Sequence, residues 1–430
     1  MKKLKVQVLT LGCSKNTVDT EHILAALPDD RFEILSEEFV PEYVDYLLVN
    51  TCGFIGDAKE ESIQAVLECV RRKDEGKVGK LAVFGCLSQR YGNELSAEIP
   101  EVDAWLGARD LDEVSCYIHP QARTCHKRHF SSGSYAYLKI SEGCDRRCSY
   151  CAIPHIRGAH RSVPMEILLD EARFLAGKGV KELILIAQDT TFYGLDLYGK
   201  RCLAELLQKL SEIQGIEWLR IHYSYPADFP EDVLEQMANN PKVCKYLDIP
   251  LQHISDNVLD NMHRHVNGEW TRNLIERLRS TVPGVALRTT MIVGHPGESE
   301  ADFNELLDFI KQARFERLGA FKYSEEEGTW GAAKLRDDVS PEIKESRYEA
   351  LMEAQSEISL AYNESRIGTV ERVLVDTVFD GRMICRSQYE SPEVDGEISV
   401  PIKEGVRTGD FINVRITDAD YYDLTGEILE

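Results

Sequence analysis

Residues 143–151 read Gly-Cys-Asp-Arg-Arg-Cys-Ser-Tyr-Cys and follow an apolar run, 137–140, that predicts a buried strand. The loop contains three cysteines with the spacing C-x3-C-x2-C: Cys144, Cys148 and Cys151. Three thiolates this close on one loop can bind three corners of a cubane iron–sulfur cluster and leave the fourth iron open for another ligand. The alternative is a structural zinc ion, for which His155 or His160 would supply the fourth ligand.

The chain around this loop alternates predicted strands with predicted helices. Six apolar strands follow the polar stretch 116–134: Tyr137–Ile140, Glu182–Gln188, Trp218–Ser224, Tyr246–Gln252, Ala286–Gly294 and Arg317–Ser324. Amphipathic segments of helical length lie between them: Glu166–Ala176, Cys202–Ile213, Trp270–Arg279 and Asp302–Gln312. Because six units are too few for a closed eight-stranded barrel, we expect an open, partial (β/α)6 TIM-type barrel with its chemistry at the carboxyl ends of the strands.

A second set of strand–helix units occupies the first 115 residues and indicates an open parallel sheet in an α/β fold. Its predicted strands are Val6–Leu11, Tyr46–Asn50 and Leu81–Phe84. One cysteine follows each strand: Cys13, Cys52 and Cys86. Taken singly, each is more often a small buried residue. Because the carboxyl ends of parallel strands lie side by side, we expect the three to form a second cluster, with helix N-termini favouring the thiolate form.

A charged helical stretch, 341–362, precedes five short β-type runs: Thr369–Asp376, Arg382–Gln388, Glu397–Val400, Phe411–Asp418 and Leu424–Leu429. Their spacing predicts a small five-stranded antiparallel β-barrel. The expected divisions are an N-terminal domain at 1–115, a linker at 116–134, a core with its helical connector at 135–362, and the C-terminal barrel at 363–430.

The composition restricts the function classes. The 430 residues include 50 basic and 73 acidic side chains, and the resulting net charge of −23 disfavours a protein held to nucleic acid by bulk charge. Since no apolar run reaches the ~18–20 residues of a membrane span and the start lacks a signal-peptide core, we expect a cytoplasmic protein, and a monomer by default.

Twelve cysteines in the reducing cytosol favour metal ligation or catalysis over disulfides. Four outside the two triads are expected to pack in elements: Cys69, Cys202, Cys244 and Cys385. A further zinc site could be drawn in the linker with irregular spacing from Cys116, His119, Cys125, His126 and His129.

Five motifs carry a family resemblance: GCSKN at 12–16, NTCGFI at 50–55, AKEES at 58–62, GCLSQRY at 85–91 and SPEVDG at 391–396. Almost the whole chain resembles the radical S-adenosylmethionine (SAM) methylthiotransferases. That family has an auxiliary-cluster domain, a radical SAM core and a C-terminal TRAM barrel. Within that family, the sequences of these motifs are similar to those of the RimO branch, which acts on a ribosomal protein. The tRNA-modifying branch usually has Gln-Met at the positions of Ser14-Lys15.

The resemblance implies replacement of a C–H bond by C–S–CH3 on the β-carbon of an aspartate in the twelfth small-subunit ribosomal protein. It implies two [4Fe-4S] clusters, one on each cysteine triad. One SAM methylates a sulfur at the auxiliary triad, and another is cleaved at the Cys144 triad to give the radical that abstracts hydrogen. An electron donor and a sulfur source are implied as further partners.

The same resemblance implies cofactor contacts. Tyr150 stands where an aromatic residue lies by the SAM adenine, Gln188 and Asp189 match the positions that bind the methionine amino group, and Gly294 lies in the glycine-bearing segment 291–298. In that segment, a histidine occupies a position that is often Phe. Ordinary roles are open for several of these residues: a turn for the glycine, and a helix cap for the aspartate.

Two arginines after the cysteine loop, Arg157 and Arg161, could contact the cofactor carboxylate or the substrate, or form solvated salt bridges. Trp330 departs from the family's usual Thr-Pro-Ala sequence and has no assigned role.

The charge of the C-terminal barrel bears on the target. Residues 366–430 contain seven basic and fourteen acidic side chains, a net charge of −7. A barrel that serves tRNA should present a basic face, whereas this one favours a basic protein. Acidity that only maintains solubility is the plain alternative. The competing functions are a tRNA adenosine methylthiotransferase and a non-catalytic iron–sulfur sensor that binds the ribosome.

Overall fold

The computed structural model describes residues 2–124, 127–130 and 133–429. The N-terminal unit is a five-stranded parallel sheet in the order β2-β1-β3-β4-β5. Its strands are β1 Leu4–Thr10, β2 Phe32–Leu35, β3 Val44–Thr51, β4 Val78–Gly85 and β5 Ala104–Trp105. Its helices are α1 Ser14–Ala25, α2 Gly56–Asp74, α3 Cys86–Glu98 and α4 Leu111–Ile118.

Apolar residues cover both faces of this sheet. Val8 and Leu48 belong to one buried cluster, while Leu47 and Val49 belong to the other. Because neighbouring residues of a strand point to opposite faces, a continuous apolar run predicts helices on both sides. The three long strands were predicted on that basis. The short edge strands β2 and β5 were not, because four and two residues carry too little pattern.

The central unit is a six-stranded parallel sheet in the order β13-β12-β11-β10-β9-β6. These strands are β6 Tyr135–Lys139, β9 Glu182–Ile186, β10 Trp218–Ile221, β11 Val243–Asp248, β12 Ala286–Val293 and β13 Arg317–Lys322. A short antiparallel pair, β7 Ser141–Glu142 and β8 Arg161–Ser162, adjoins it. Because β6 and β13 are unpaired with each other, the predicted open partial barrel is confirmed.

Helices cover the outside of the six strands. The longer ones are α6 Met165–Gly177, α8 Leu203–Ser211, α9 Glu231–Asn239, α11 Gly268–Thr281, α12 Glu300–Ala313 and α14 Pro341–Ser365. The shorter ones are α5 Ile153–Arg157, α7 Leu195–Tyr198, α10 Asp256–Asn261 and α13 Trp330–Lys334. Together with the outward strand residues they form the largest apolar core of the molecule.

The C-terminal unit is the predicted five-stranded barrel, closed in the order β14-β15-β16-β18-β17. Its strands are β14 Val370–Phe379, β15 Arg382–Arg386, β16 Ile398–Pro401, β17 Phe411–Ala419 and β18 Leu424–Ile428. Four pairings are antiparallel, but β16 and β18 run parallel. An odd number of strands cannot alternate direction all the way round a closed barrel, so one parallel pairing is unavoidable.

The segment 387–397, which joins β15 to β16, contacts polar residues inside the partial barrel. This segment includes the motif SPEVDG. The inner faces of the strands bind it through Ser391 Oγ to His222 Nε2 at 2.8 Å and Asp395 Oδ2 to Tyr246 Oη at 2.7 Å. The buried carboxylate of Glu390 accepts hydrogen bonds from Arg366 and Arg317. This segment therefore fixes the small barrel against the central unit.

Within residues 2–124, 127–130 and 133–429, no helix combines the length and apolar character needed to cross a membrane.

The inserted segment predicts a stability effect. Glu390→Gln removes the carboxylate partner of buried Arg317 and leaves buried Arg366 with Glu371 alone, and we expect the free energy of unfolding to fall by about 3–5 kcal/mol. Arg366 and Arg317 hold the pKa of Glu390 at about 2. The stabilisation by Glu390 should therefore be fully present at pH values above the ordinary carboxyl pKa and should be lost as the pH falls towards 2. Chemical denaturation measures the change.

The matched control is Glu404→Gln, an exposed carboxylate in the same barrel, for which we expect a change below about 0.5 kcal/mol. Equal losses in the two variants would show that the inserted segment does not stabilise the junction.

Candidate functional site: two cysteine triads at the barrel mouth

The first cysteine loop begins directly after β7 and is fastened on both sides by backbone hydrogen bonds. Cys144 N donates to Gly158 O at 3.0 Å, and Ser149 N donates to Met262 O at 3.0 Å. Gly331 N, at the start of α13, donates to Ser149 O at 2.7 Å. The loop is therefore held at the carboxyl ends of the strands, where the sequence pattern placed it.

The three thiols of this loop are partly buried and close enough to influence one another electrostatically. Burial raises the pKa of Cys144 to about 12, and it also raises the pKa of Cys151, with a further contribution from Cys148. Free of metal, Cys144 and Cys151 are therefore thiols. Metal loading must therefore displace protons, as is general for thiolate sites.

A buried arginine that sequence reasoning missed adjoins this triad. Arg264 Nη1 lies 3.5 Å from Cys148 Sγ and 3.4 Å from Tyr150 Oη, and Arg264 Nη2 donates to Pro250 O at 2.6 Å. Its flanking residues, His263 and His265, both have positive φ angles. No periodicity or motif signals such a loop, so only the folded chain shows that this cation faces the cysteines.

Trp330, which had no role from the sequence, packs on this arginine loop. Its ring centroid lies 4.2 Å from that of His263, while the following residue, Gly331, bonds the cysteine loop. Trp330 therefore joins the two loops that surround the first triad.

The expected SAM-contacting residues lie at the same mouth. Tyr150 lines a cavity of about 640 Å³, together with Gln252 and the N-terminal-domain residues 54–57. Gln188 Nε2 donates to Glu142 Oε1 at 2.9 Å, while the buried oxygen of Gln188 has no partner in the described part of the chain. This open acceptor is compatible with an amino group as ligand.

Two other residues expected to contact SAM form hydrogen bonds within the protein. Asp189 accepts from Arg146 Nε at 2.9 Å and caps the following turn through Thr191 N at 2.9 Å. Gly294 has φ +73°, and its N–H donates to Glu298 Oε2 at 2.8 Å, so it makes the turn after β12.

The histidine in the glycine-bearing segment behaves as an aromatic residue. His295 is fully buried, and burial lowers its pKa to about 4. Its ring packs edge-on against Tyr150 and Tyr323, with centroids 6.5 and 5.0 Å away. A neutral imidazole therefore occupies the place where the family often has Phe.

The second triad lies on the N-terminal sheet, as the strand order predicts. Cys13 caps the start of α1, Cys52 follows β3, and Cys86 is the first residue of α3. Gly12, with φ +95°, allows this close approach, because a Cβ there would lie 2.8 Å from Cys52 Cβ. Cys52 interacts electrostatically with Cys86 and Cys13, and Cys86 interacts with Cys13, so the structure brings the three thiols together.

The expectation that helix N-termini favour the thiolate form is wrong for Cys52 and Cys86 in the metal-free chain. Burial raises the pKa of Cys52 to about 11 and also raises that of Cys86. Desolvation therefore outweighs the favourable helix ends and the nearby Arg157 guanidinium.

Arg157 contacts the second triad. It stands at the end of α5, six residues after Cys151, but its donors face the N-terminal domain. Arg157 Nε lies 3.3 Å from Cys86 Sγ, Nη1 lies 2.6 Å from an oxygen of Asp19, and Nη2 lies 2.6 Å from Asn16 Oδ1. The structure thus directs this arginine towards the auxiliary cysteines.

A buried ion network extends from Arg157. Asp19 pairs with Lys139 of β6, and Glu142 pairs with both Lys139 at 2.8 Å and Arg157 at 3.2 Å. All four charged groups are nearly inaccessible to solvent. This network holds α1 of the N-terminal sheet against the central barrel. Arg161, by contrast, is exposed on β8.

The donor sets fit clusters better than single ions. No group of three or more His, Cys, Asp or Glu side chains among residues 2–124, 127–130 and 133–429 is arranged to hold one metal ion. In a cubane cluster each thiolate binds a different iron, so its ligands lie farther apart than those of one zinc ion. His160 Nε2 is instead bonded to Ser162 Oγ at 3.1 Å.

Among the described residues, the remaining cysteines form no third metal site. Four are buried in apolar clusters, as expected: Cys69, Cys202, Cys244 and Cys385. Of the possible linker zinc site, Cys125 and His126 lie outside the described residues.

Comparisons with known proteins agree with this arrangement. Family models match residues 5–107 (uncharacterized protein family UPF0004), 138–310 (radical SAM superfamily) and 367–429 (TRAM domain). A relative from Bacteroides thetaiotaomicron, named ribosomal protein uS12 methylthiotransferase RimO, is 48% identical and covers 100% of this chain and 99% of its own. A relative of the same name from Porphyromonas gingivalis is 48% identical over 100% of both chains.

The chain belongs to the RimO family of radical SAM methylthiotransferases. It is therefore a transferase whose cofactors are SAM and an iron–sulfur cluster, and its C-terminal barrel is a TRAM domain.

Solved structures show the same fold at low identity. The radical SAM methyltransferase TsrM from Kitasatospora setae, solved with cobalamin and a [4Fe-4S] cluster, has a TM-score of 0.57 at 14% identity and 75% coverage of both chains. The cobalamin-dependent SAM radical enzyme OxsB has a TM-score of 0.52 at 13% identity, covering 82% of this chain and 56% of its own.

The network around Arg157 predicts a stability effect at this site. Arg157→Met leaves two buried carboxylates to share Lys139, and we expect the free energy of unfolding to fall by about 3–5 kcal/mol. Arg157→Lys should recover less than half of that loss, because a single ammonium cannot replace the contacts that the guanidinium makes through Nε, Nη1 and Nη2. Denaturant titration measures both variants.

Arg173→Met is the control, since this arginine forms an exposed pair with Asp170 and should contribute under about 1 kcal/mol. Full recovery in the lysine variant would refute the geometric part of this argument.

Proposed function

We propose that the protein methylthiolates the β-carbon of an aspartate in ribosomal protein uS12, with SAM as both methyl donor and radical source. The proposal assigns one [4Fe-4S] cluster to Cys144, Cys148 and Cys151 and a second to Cys13, Cys52 and Cys86. The observation that carries it is the pair of three-cysteine groups, of which Cys86 packs against Ala152, the residue that follows Cys151. The proposed substrate is taken from the relatives, which are named uS12 methylthiotransferases.

Each triad has residues suited to its part. With three thiolates bound, each cluster keeps one iron free for a further ligand. When bound, SAM and the first cluster would supply the radical that abstracts hydrogen, and the auxiliary cluster would hold the sulfur, taken from an outside source, that is methylated and transferred. Tyr150 and the open acceptor of Gln188 would orient SAM, while Arg264 and Arg157 offset the negative charge of the thiolates.

The surroundings protect such chemistry from water. The segment 387–397 fills the barrel from below, and α1 covers the edge near β6. One opening in the described part of the chain is the cavity between residues 54–57 and β13. An electron donor and a sulfur source from outside the chain complete the proposed reaction, which we place in the cytoplasm with the enzyme as a monomer.

The TRAM surface supports a basic protein as the target. Eight exposed carboxylates of the C-terminal unit have no cation within 4 Å in the described part of the chain: Asp380, Glu393, Glu397, Glu404, Asp410, Asp418, Asp420 and Asp423. Arg366 and Arg386, by contrast, are buried in ion pairs and cannot bind phosphate. Complementary charge attracts a basic protein, whereas RNA would be repelled.

Iron analysis tests the two-cluster assignment. We expect Cys13→Ala and Cys144→Ala each to lose about half of the iron, because each removes one ligand of one cluster. Cys144→Ala should also stop SAM cleavage to 5′-deoxyadenosine, whereas Cys13→Ala should retain cleavage without methylthiolation. The control, Cys116→Ala, removes a thiol outside both triads and should keep all the iron. An unchanged iron content in Cys13→Ala would contradict the second cluster.

Mass spectrometry tests the target. The reconstituted enzyme, SAM and a reductant are incubated anaerobically with small ribosomal subunits in one tube and total tRNA in another. We expect one sulfur and one CH2 to be added to an aspartate of uS12 and no change in the tRNA. Modification of tRNA alone would overturn the substrate and the charge argument, and intact clusters that produce no 5′-deoxyadenosine would favour a binding protein.

A further inference from the structure

Buried cations in this protein are nearly all paired with carboxylates. Ten Lys or Arg residues in the described part of the chain are less than a tenth exposed: Lys15, Arg128, Lys139, Arg157, Arg220, Arg264, Arg317, Lys344, Arg366 and Arg386. Eight of them form an ion pair with Asp or Glu. Arg264 faces the thiol of Cys148 instead. Lys15 is the remaining one.

The partner of the Lys15 ammonium is an aromatic ring, whereas eight of the other buried cations pair with a carboxylate. Its Nζ lies 3.4 Å from the centroid of the Tyr223 ring, and no carboxylate oxygen of the described residues lies within 4 Å of it. Cys13 and Glu142 act on it only through longer-range electrostatics. Removing an ammonium from water is costly unless an anion compensates it, and a ring quadrupole compensates only in part.

The position of Lys15 connects it to both triads. It lies in the first turn of α1, two residues after Cys13, and the next residue, Asn16, bonds Arg157. Tyr223 lies two residues after the end of β10 in a positive-φ conformation, at the carboxyl ends of the strands. The unmatched charge therefore lies at the barrel mouth, next to the triad that includes Cys13.

We propose that Lys15 binds the side-chain carboxylate of the substrate aspartate. This inference rests on the proposed function and deepens it. The β-carbon of aspartate is bonded directly to the carboxylate carbon, so fixing the carboxylate also fixes the carbon that reacts. The ammonium also offsets the repulsion between that carboxylate and the thiolates of Cys13 and its neighbours.

SAM carries a carboxylate too, and the experiment separates the two sources. Substrate uS12 with its target Asp, or with Asn in its place, is offered to wild type, Lys15→Gln, Lys15→Arg and Lys77→Gln. Lys77 is the control, because it is an exposed lysine of the same domain at the opposite, amino end of β4. The readouts are the Asp-to-Asn ratio of kcat/KM, the SAM dissociation constant and the iron content.

We expect wild type and Lys77→Gln to prefer Asp over Asn by about 10- to 100-fold, the range of a charged hydrogen bond. Lys15→Gln should reduce that preference to less than about threefold at unchanged iron content and SAM affinity. Lys15→Arg should keep most of the preference, because it keeps the positive charge.

An unchanged Asp-to-Asn ratio in Lys15→Gln would overturn this assignment alone. Weaker SAM binding with an unchanged ratio would also overturn it, because the carboxylate bound would then be that of SAM. A wild-type enzyme that modifies neither substrate would instead overturn the proposed function, and this assignment with it.

Discussion

The buried ion network of Asp19, Lys139, Glu142 and Arg157 is the interaction on which the site depends. It joins a helix of the N-terminal sheet to the first strand and the cysteine loop of the central barrel. A buried pair adds little stability compared with well-packed apolar residues, but breaking it is costly. Its role here is therefore one of position, because it brings two separate sets of cysteines to one mouth.

The same logic operates at the other end of the barrel. The parallel strands present a polar inner face, and the segment 387–397 of the TRAM domain supplies the groups that satisfy it. A motif that looked like a family signature thus has a physical function, which is to fill the barrel and orient the small acidic domain. The three units are joined by specific polar contacts, which link the TRAM domain to the central barrel and the central barrel to the N-terminal sheet.

Much of this architecture could be predicted from the sequence. Apolar runs followed by amphipathic segments gave the parallel sheets, and the place of Cys13, Cys52 and Cys86 after three strands predicted their convergence. The parts that could not be predicted depend on contacts between distant segments. Two flanking residues with positive φ angles orient Arg264. Arg157 follows the cysteine loop in the sequence, but its side chain contacts Cys86. Neither orientation leaves a periodic or spacing signal in the chain.

The central claim is that both triads belong to one site, and electron paramagnetic resonance of the fully reduced protein tests it most directly. The spectrum of wild type is compared with the sum of the spectra of Cys13→Ala and Cys144→Ala, each of which keeps one cluster. Two paramagnets at one mouth interact, so the account predicts a wild-type spectrum that differs from this sum by magnetic coupling. A spectrum equal to the sum would show that the two clusters are far apart, and it would contradict the account.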